Sequence, residues 1–523
     1  MRPACSLRHG ALMPLNRFRL TGFCPASKLF FAASQKGFRV GADFCALQTA
    51  NRAGLQGIRN TVYMTNRIAR HSYFCYSICL LLVTLISPRA GAQAYPEPVP
   101  EHLLNGLTVL FSPRPGDPNV LIKLRVHSGA AFDVVGRGGT MNLLGDVLFP
   151  DPTTREYVTE QLGGKLDVAT GYDGIDVTIS GNANELERMV EFLRNALINT
   201  QLTPENIAKA RETRLKQLSE RPAAAAEIAD QEIAARLFGN YPYGRPAMGT
   251  VNSVSKIDRG DLLYARERFL NADNATLVVI GGVDQSRLRR TLHQLLGPWQ
   301  KGDRVVPATF RQPNRPDARV LLVNQHDLKN AEIRLAVRGL ARSDAAAAAA
   351  SLLGKIIRER WQAASPDITA AFARHDAHEL PGSFVLGASV PTESASKAIS
   401  AAQKIIQSLV QTGPTATELE RARGEILTEL SGRTSQSESI ADLWLDLDTF
   451  KLPPLNSQIN SIRSLTSTDI QRVAARLFKD AAPATIVVGN AEQLKSSFAG
   501  SEVKGAKPDV KTAADPATPA KKP

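Results

Sequence analysis

A chain of 523 residues with 43% hydrophobic and 22% charged residues has room for roughly two to four domains and excludes a fibrous or wholly disordered class. The formal charge of +13 invites a nucleic-acid reading, but residues 1–63 carry nine Lys or Arg against one Asp, and Arg67, Arg70 and Arg89 follow before residue 94. Only about +2 is left from Tyr95 onward, which excludes nucleic acid as a partner on charge.

Residues 1–63 show no sustained periodicity and read as a non-structural extension ahead of Met64. Residues 64–94 read as a secretory signal peptide. Arg67 and Arg70 form the positive start, Cys75 to Ile86 the short apolar run, and Ala90-Gly-Ala92 or Ala92-Gln-Ala94 the small residues for cleavage. The run is too short to span a bilayer comfortably, so no stable membrane span is expected in the mature chain; an uncleaved anchoring helix is the alternative. The expected location is the periplasm or cell envelope of a bacterium. All five cysteines, Cys5, Cys24, Cys45, Cys75 and Cys79, precede residue 94, so the body needs neither disulfides nor thiolate-bound metal.

Residues 95–307 read as a first domain. Asn105-Gly106 is a hairpin signal, Thr108 to Phe111 and Val120 to Val126 are expected strands, and Thr153 to Leu162 an expected helix. Lys165 to Ala169 and Ile175 to Ser180 alternate as an antiparallel pair. Leu186, Met189, Val190 and Leu193 mark an amphipathic helix, and Thr203-Pro-Glu205 starts another that runs past Gln217. Leu277 to Ile280 is a final strand. After a linker at 308–318, the order returns in residues 319–498. Ile122 to Val126 is echoed by Ile333 to Val337, Ala210 to Leu218 by Ala422 to Leu430, and Ala275 to Val279 by Ala484 to Val488. Three ordered echoes at nearly constant offset predict two homologous α+β domains, each a mostly antiparallel sheet packed with helices. Residues 499–523, poor in apolar side chains, are expected to be a disordered tail.

The chemically informative stretch is Gly139 to Phe149. Leu143, Leu144, Val147 and Leu148 recur at helical spacing, so Asn142 and Asp146 share the opposite face, where a helix presents metal ligands. The candidates there are an amide, Gly145 and one carboxylate. Zinc prefers imidazole, thiolate or carboxylate donors, and hydrolysis also needs a base for the water. His375 and His378 form the one close histidine pair of the body. They sit in an expected strand or loop whose spacing does not bring both rings onto one face, so a surface role is preferred. No Gly-x-Ser-x-Gly elbow and no glycine-rich phosphate loop is present.

The order of elements, with Asn105 to Val109, Gly139 to Phe149, Gly163 to Asp167, Tyr241 to Thr250, Glu420 to Arg423 and Thr485 to Gly489, resembles the insulinase/pitrilysin family of zinc metallopeptidases, on its processing-peptidase-like branch, over roughly residues 100–495. The resemblance implies two homologous domains forming a half-clamshell around a peptide chamber. The family's His-x-x-Glu-His histidines fall on Asn142 and Asp146, its catalytic glutamate on Gly145, its distal zinc ligand on Gln217 and the supporting glutamate on Ala210. No catalytic residue, metal ligand or cofactor is therefore expected in this chain; a weak calcium- or magnesium-type site at Asn142, Asp146 and Gln217 is the remaining metal reading. Tyr241, Tyr243 and Arg245 are either substrate-facing or part of a structural turn. The function implied is that of a non-catalytic subunit that pairs with an active zinc-bearing paralogue and helps enclose peptide substrates. A cell-envelope scaffold without peptidase activity and a metallopeptidase with unconventional ligands are the alternatives.

Overall fold

The computed structural model describes residues 97–220, 223–302, 310–311 and 313–505. The expected extension and signal peptide, and the tail from residue 506, lie outside the described residues. The first half runs through strands β1 (Val99–His102), β2 (Thr108–Pro113) and β3 (Asn119–Val126), then helices α1 (Thr140–Asp146) and α2 (Pro152–Glu160). The hairpin β4 (Leu166–Thr170) and β5 (Ile175–Asn182) follows, with helices α3 (Leu186–Leu197), α4 (Pro204–Glu220), α5 (Ala225–Phe238) and α6 (Arg259–Phe269), strand β6 (Ala275–Gly281) and helix α7 (Gln285–Leu295). The second half holds β7 (Leu321–Asn324), β8 (Asn330–Arg338), α8 (Ala347–Ala364), β9 (Thr369–Asp376), β10 (Ser383–Pro391), α9 (Ala395–Thr412) and α10 (Ala416–Thr434). It ends with α11 (Ser437–Thr449), α12 (Leu455–Ser464), α13 (Ser467–Phe478), β11 (Ala484–Gly489) and β12 (Glu502–Lys504). Among the described residues no helix is long and apolar enough to cross a membrane.

These strands build two six-stranded sheets, in the orders β1-β2-β6-β3-β5-β4 and β12-β7-β11-β8-β10-β9. Pairing is antiparallel except for β2 with β6, β7 with β11 and β12 with β7. The α+β architecture is as expected, and the echoed strings occupy equivalent elements: β3 and β8, α4 and α10, β6 and β11. One edge breaks the repeat. Where the first sheet has β1, hairpinned to β2, the second has β12, which comes last in the chain and runs parallel to β7. The expected tail therefore starts too early at residue 499. Glu502 to Lys504 gain backbone partners on the sheet edge, Arg236 of α5 reaches Glu502 at 3.1 Å, and Lys504 reaches Glu232 at 2.7 Å. Backbone pairing and charge hold a segment that has little apolar surface to bury.

Strand alternation gives each sheet two faces. In β3, Val120, Ile122, Leu124 and Val126 enter the core under the first half's own helices, while Leu121, Lys123, Arg125 and His127 face the other way. What covers that second face comes from the other half: Ile440, Ala441, Trp444 and Leu445 of α11 pack on Leu110, Leu121, Val278 and Ile280. The reverse holds for the second sheet, where Ala229, Ile233 and Leu237 of α5 pack on Ala336, Val385, Ile486 and Val488. The two halves thus exchange one helix each, and α5 and α11 are themselves a repeat pair, Ala229 answering to Ala441 and Ile233 to Leu445.

Charges follow the same exchange. Lys123, buried on β3, pairs with Asp442 of α11; at the equivalent place Arg334 of β8, 2% exposed, pairs with Asp230 of α5 at 2.6 Å. Beside Lys123, Arg125 binds Asp446 at 2.8 Å and takes both oxygens of Asp176 at 2.7 and 2.9 Å. His127 contacts the hydroxyls of Thr276 and Thr449 at 2.9 and 3.1 Å.

Removing one member of a buried pair strands the other charge, whereas replacing both with apolar side chains is often neutral. Asp442→Ala is expected to lower stability by roughly 2–4 kcal/mol in urea unfolding, its partial exposure keeping the loss at the lower end, and Asp230→Ala by less, because Arg334 keeps Glu332 at 3.1 Å. The double variants Lys123→Met with Asp442→Ala, and Arg334→Met with Asp230→Ala, should recover most of it.

Candidate functional site

Helix α1 is positioned by its entrance. Gly139 takes φ +96, and a Cβ there would lie 2.9 Å from the Met248 carbonyl oxygen. Asp133 caps the helix from outside: its carboxylate accepts from the backbone N–H of Gly139 at 2.6 Å and of Met141 at 2.8 Å. Burial pushes this carboxyl up to about 6 against those two donors. The helix then seats Met141, Leu143, Leu144, Val147 and Leu148 in the core.

The polar face does not gather a ligand set. Asn142 is buried, whereas Gln217 on α4 is exposed, so Asn142, Asp146 and Gln217 do not share one interior site. Gly145 presses against the β4 strand: a Cβ would meet Thr170 Oγ1 at 2.7 Å and Val168 Cγ1 at 3.4 Å. Asp146 is engaged by a residue that sequence reading missed, Arg214 of α4, which donates Nη2 to Oδ1 at 2.6 Å and Nε to Oδ2 at 3.0 Å. Burial raises the Asp146 pKa above its ordinary value, the Arg214 pair opposing this. A fixed guanidinium on both carboxylate oxygens repels a divalent cation and uses the lone pairs it would need, so the residues present do not fit zinc, nor a calcium- or magnesium-type ion. Among the described residues no group of three or more His, Cys, Asp or Glu could hold a metal. No local signal marks Arg214, since it lies 68 residues from Asp146.

The second half repeats this arrangement with the charges reversed. Gly354 of α8 answers to Gly145, and its Cβ would meet the Ala373 carbonyl oxygen of β9 at 2.6 Å. Lys355 answers to Asp146 and binds Glu425 of α10 at 2.8 Å and Glu429 at 2.5 Å. Arg358 joins Glu425 at 3.0 and 2.8 Å, and Arg360 binds Glu418 at 2.6 and 2.8 Å, so both arginines are held in ion pairs between helices. In both halves the space between the equivalent helices is closed by a cation and a carboxylate.

Tyr241, Tyr243 and Arg245 serve the frame. Tyr241 and Tyr243 are 7% and 4% exposed, ring to ring at 5.6 Å, with Phe238 stacked on Tyr241 at 5.7 Å. The Arg245 guanidinium donates to the Asp133 carbonyl at 2.8 Å, and the Arg245 backbone carbonyl accepts from the Tyr172 hydroxyl at 2.7 Å, which ties this loop to the entrance of α1. The preference for a surface role of the histidine pair is corrected. His375 lies in β9 against the backbone of Leu340, and His378 Nδ1 meets Asp173 at 2.7 Å where the β4–β5 and β9–β10 hairpins touch. Both rings are half-buried, and their partners differ. The boundary between the halves, invisible to linear spacing, is what buries them.

Gly→Ala inside a helix normally stabilises by up to ~1 kcal/mol. Gly145→Ala should instead destabilise by about 1–3 kcal/mol in thermal or urea unfolding, because Thr170 must move, and Thr170→Ala in the same chain should restore part of the loss. The pH dependence separates two buried groups. Asp133 has a folded pKa above its unfolded value, so its contribution is full below about pH 4 and falls as pH rises through about 6. His127 is held down to about 4 by burial, so its contribution is full above about pH 6.5 and is lost as pH falls towards 4. Between pH 4 and 7, Asp133→Asn should gain on the wild type with rising pH and His127→Gln should lose ground, each by on the order of 2 kcal/mol.

Comparison with known proteins bears on the same regions. The family model described as insulinase (peptidase family M16) matches residues 108–251, and that described as peptidase M16 inactive domain matches residues 256–426. An uncharacterized zinc protease of Rickettsia felis is 22% identical over 215 residues, 40% of this chain and 52% of that protein, so the match spans about half of the relative. A probable mitochondrial-processing peptidase subunit beta of Schizosaccharomyces pombe is 22% identical over 433 residues, 78% of this chain and 94% of that protein. The crystal structure of a peptidase M16 inactive domain from Pseudomonas fluorescens superposes with a TM-score of 0.69 at 18% identity, covering 76% of this chain and 98% of that one, which shows a shared fold. With its two duplicated halves and consecutive family matches, the chain belongs to the insulinase family, peptidase family M16.

Proposed function

We propose that this chain is a catalytically silent subunit of an exported metallopeptidase, paired with an active zinc-bearing paralogue with which it encloses peptide substrates. The observation that carries this reading is the pair between Asp146 and Arg214. At the place the family resemblance gives to a zinc ligand stands a carboxylate already held by a cation, and the neighbouring Gly145 leaves no room beside Thr170 for the glutamate that activates water. Losing a positioned base typically removes 10²–10⁴-fold in rate, and the Lewis acid with its low-pKa water is lost as well. Helix α1 buries Met141, Leu143, Leu144, Val147 and Leu148 in the core, so its role is to hold the half-shell together. The processing-peptidase relative is named as a subunit, which supports pairing, and the signal-peptide reading with a cysteine-free body supports export.

Co-expression tests the proposal. Tagged chain is expected to co-purify with an M16 paralogue carrying intact His-x-x-Glu-His, and a quenched-fluorescence peptide library should be cleaved by the mixture and not by this chain alone. A stable monomer that never changes the paralogue's activity would sink the pairing. Recovery of a complex without any peptidase would point to a scaffold, and zinc-dependent cleavage by the isolated chain would overturn silence.

A further inference from the structure

The helix exchange leaves one place where the two halves differ in chemistry. On the first sheet, Arg125, Asp446 and Asp176 fill the space between α11 and the strands with a charged trio. By sheet register and helix repeat their equivalents on the second sheet are Ala336, Ala234 and Val385. Where the first sheet has three charged side chains the second has two alanines and a valine, and a cavity of about 530 Å³ lined by all three opens between α5 and the β9–β10 hairpin. That volume falls in the range of small-molecule sites.

The walls around this apolar floor carry donors. Arg342 has a single ionic neighbour among the described residues, Asp446 at 3.7 Å, and no side-chain hydrogen bond to them, which leaves its planar fork available. His378, held through Nδ1 by Asp173 and stacked on Tyr243, also lines the cavity. The acidic lining is already engaged: Asp376 takes Arg374 at 2.9 Å, and Asp230 takes Arg334 at 2.6 Å. An unfilled apolar floor beneath a guanidinium with spare donors is the arrangement that receives a carboxylate on an apolar body.

We propose that the cavity between α5 and the β9–β10 hairpin binds a monocarboxylate bearing an apolar group, with Arg342 receiving the carboxylate and Ala234, Ala336 and Val385 the apolar group. The chemistry is shared by free aryl or alkyl acids and by the C-terminal residue of a peptide. The proposal is independent of pairing with an active subunit.

Isothermal titration of the purified chain with 3-phenylpropanoate and with N-acetyl-Ala-Phe, each against its amide, tests it. At least one acid should bind with Kd on the order of 1 mM or tighter, and its amide should bind at least about tenfold more weakly. Which acid binds better separates a free-acid site from a peptide C-terminus site. Arg342→Gln should weaken acid binding at least about tenfold while leaving the thermal transition in place. Ala234→Asp with Ala336→Arg rebuilds the charged pair of the first sheet and should abolish binding. The Arg342 variant keeps the test decisive if that double variant fails to fold. Equal binding of acid and amide, no binding of either acid, or unchanged binding by Arg342→Gln overturns the proposal.

Discussion

The structure depends on two buried cations whose charge is met across the boundary between the halves, Arg334 sharing its charge with Glu332 of its own strand as well. Lys123 and Arg334 sit on central strands of the two sheets, shielded from water, and each finds a carboxylate on a helix contributed by the other half. An unpaired charge in such a place is costly, so the sheet demands the foreign helix, and once that helix is seated its apolar residues close the rest of the face. Trp444, Ile440 and Leu445 do this on one side, Ile233 and Leu237 on the other. Each half packs a core under its own helices, but the second face of each sheet is closed only by the helix from the other half.

The same logic governs the polar face of α1. The helix presents one carboxylate there, and a guanidinium from α4 neutralises it locally. The second half solves the equivalent problem with the opposite polarity, Lys355 against Glu425 and Glu429. An ion pair of either sign bridges two helices, whereas a metal site tolerates only one set of donors. That the helices hold their positions under both arrangements shows that their seating is fixed by the glycine contacts against β4 and β9 and by the apolar face, with the polar residues free to change.

Much of this was legible in the sequence because it is periodic or repeated. The alternation of Val120 to Val126 specified β3, the spacing of Leu143, Leu144 and Val147 specified α1, and three echoed strings specified the duplication. What stayed hidden has no linear signature. Arg214 meets Asp146 only through the packing of α4 on α1. The exchange of α5 and α11 leaves no trace in either helix, since an apolar stripe is the same whichever sheet it covers. His375 and His378 read as surface residues because nothing local reveals that two hairpin tips meet there. The segment Glu502 to Lys504 looked like tail because edge strands can be held by backbone pairing without apolar side chains.

The exchanged helices also relate the two halves by a symmetry. Lys123 with Asp442 and Arg334 with Asp230 are two copies of one contact, in which residue i of the first repeat meets residue j of the second, and residue j of the first meets residue i of the second. This is the signature of an isologous two-fold interface. A single repeat that formed a domain-swapped homodimer would make the same contact twice, with identical residues. Two copies joined end to end can keep that contact while differing elsewhere, as the charged trio on one side and the alanine-lined cavity on the other do here.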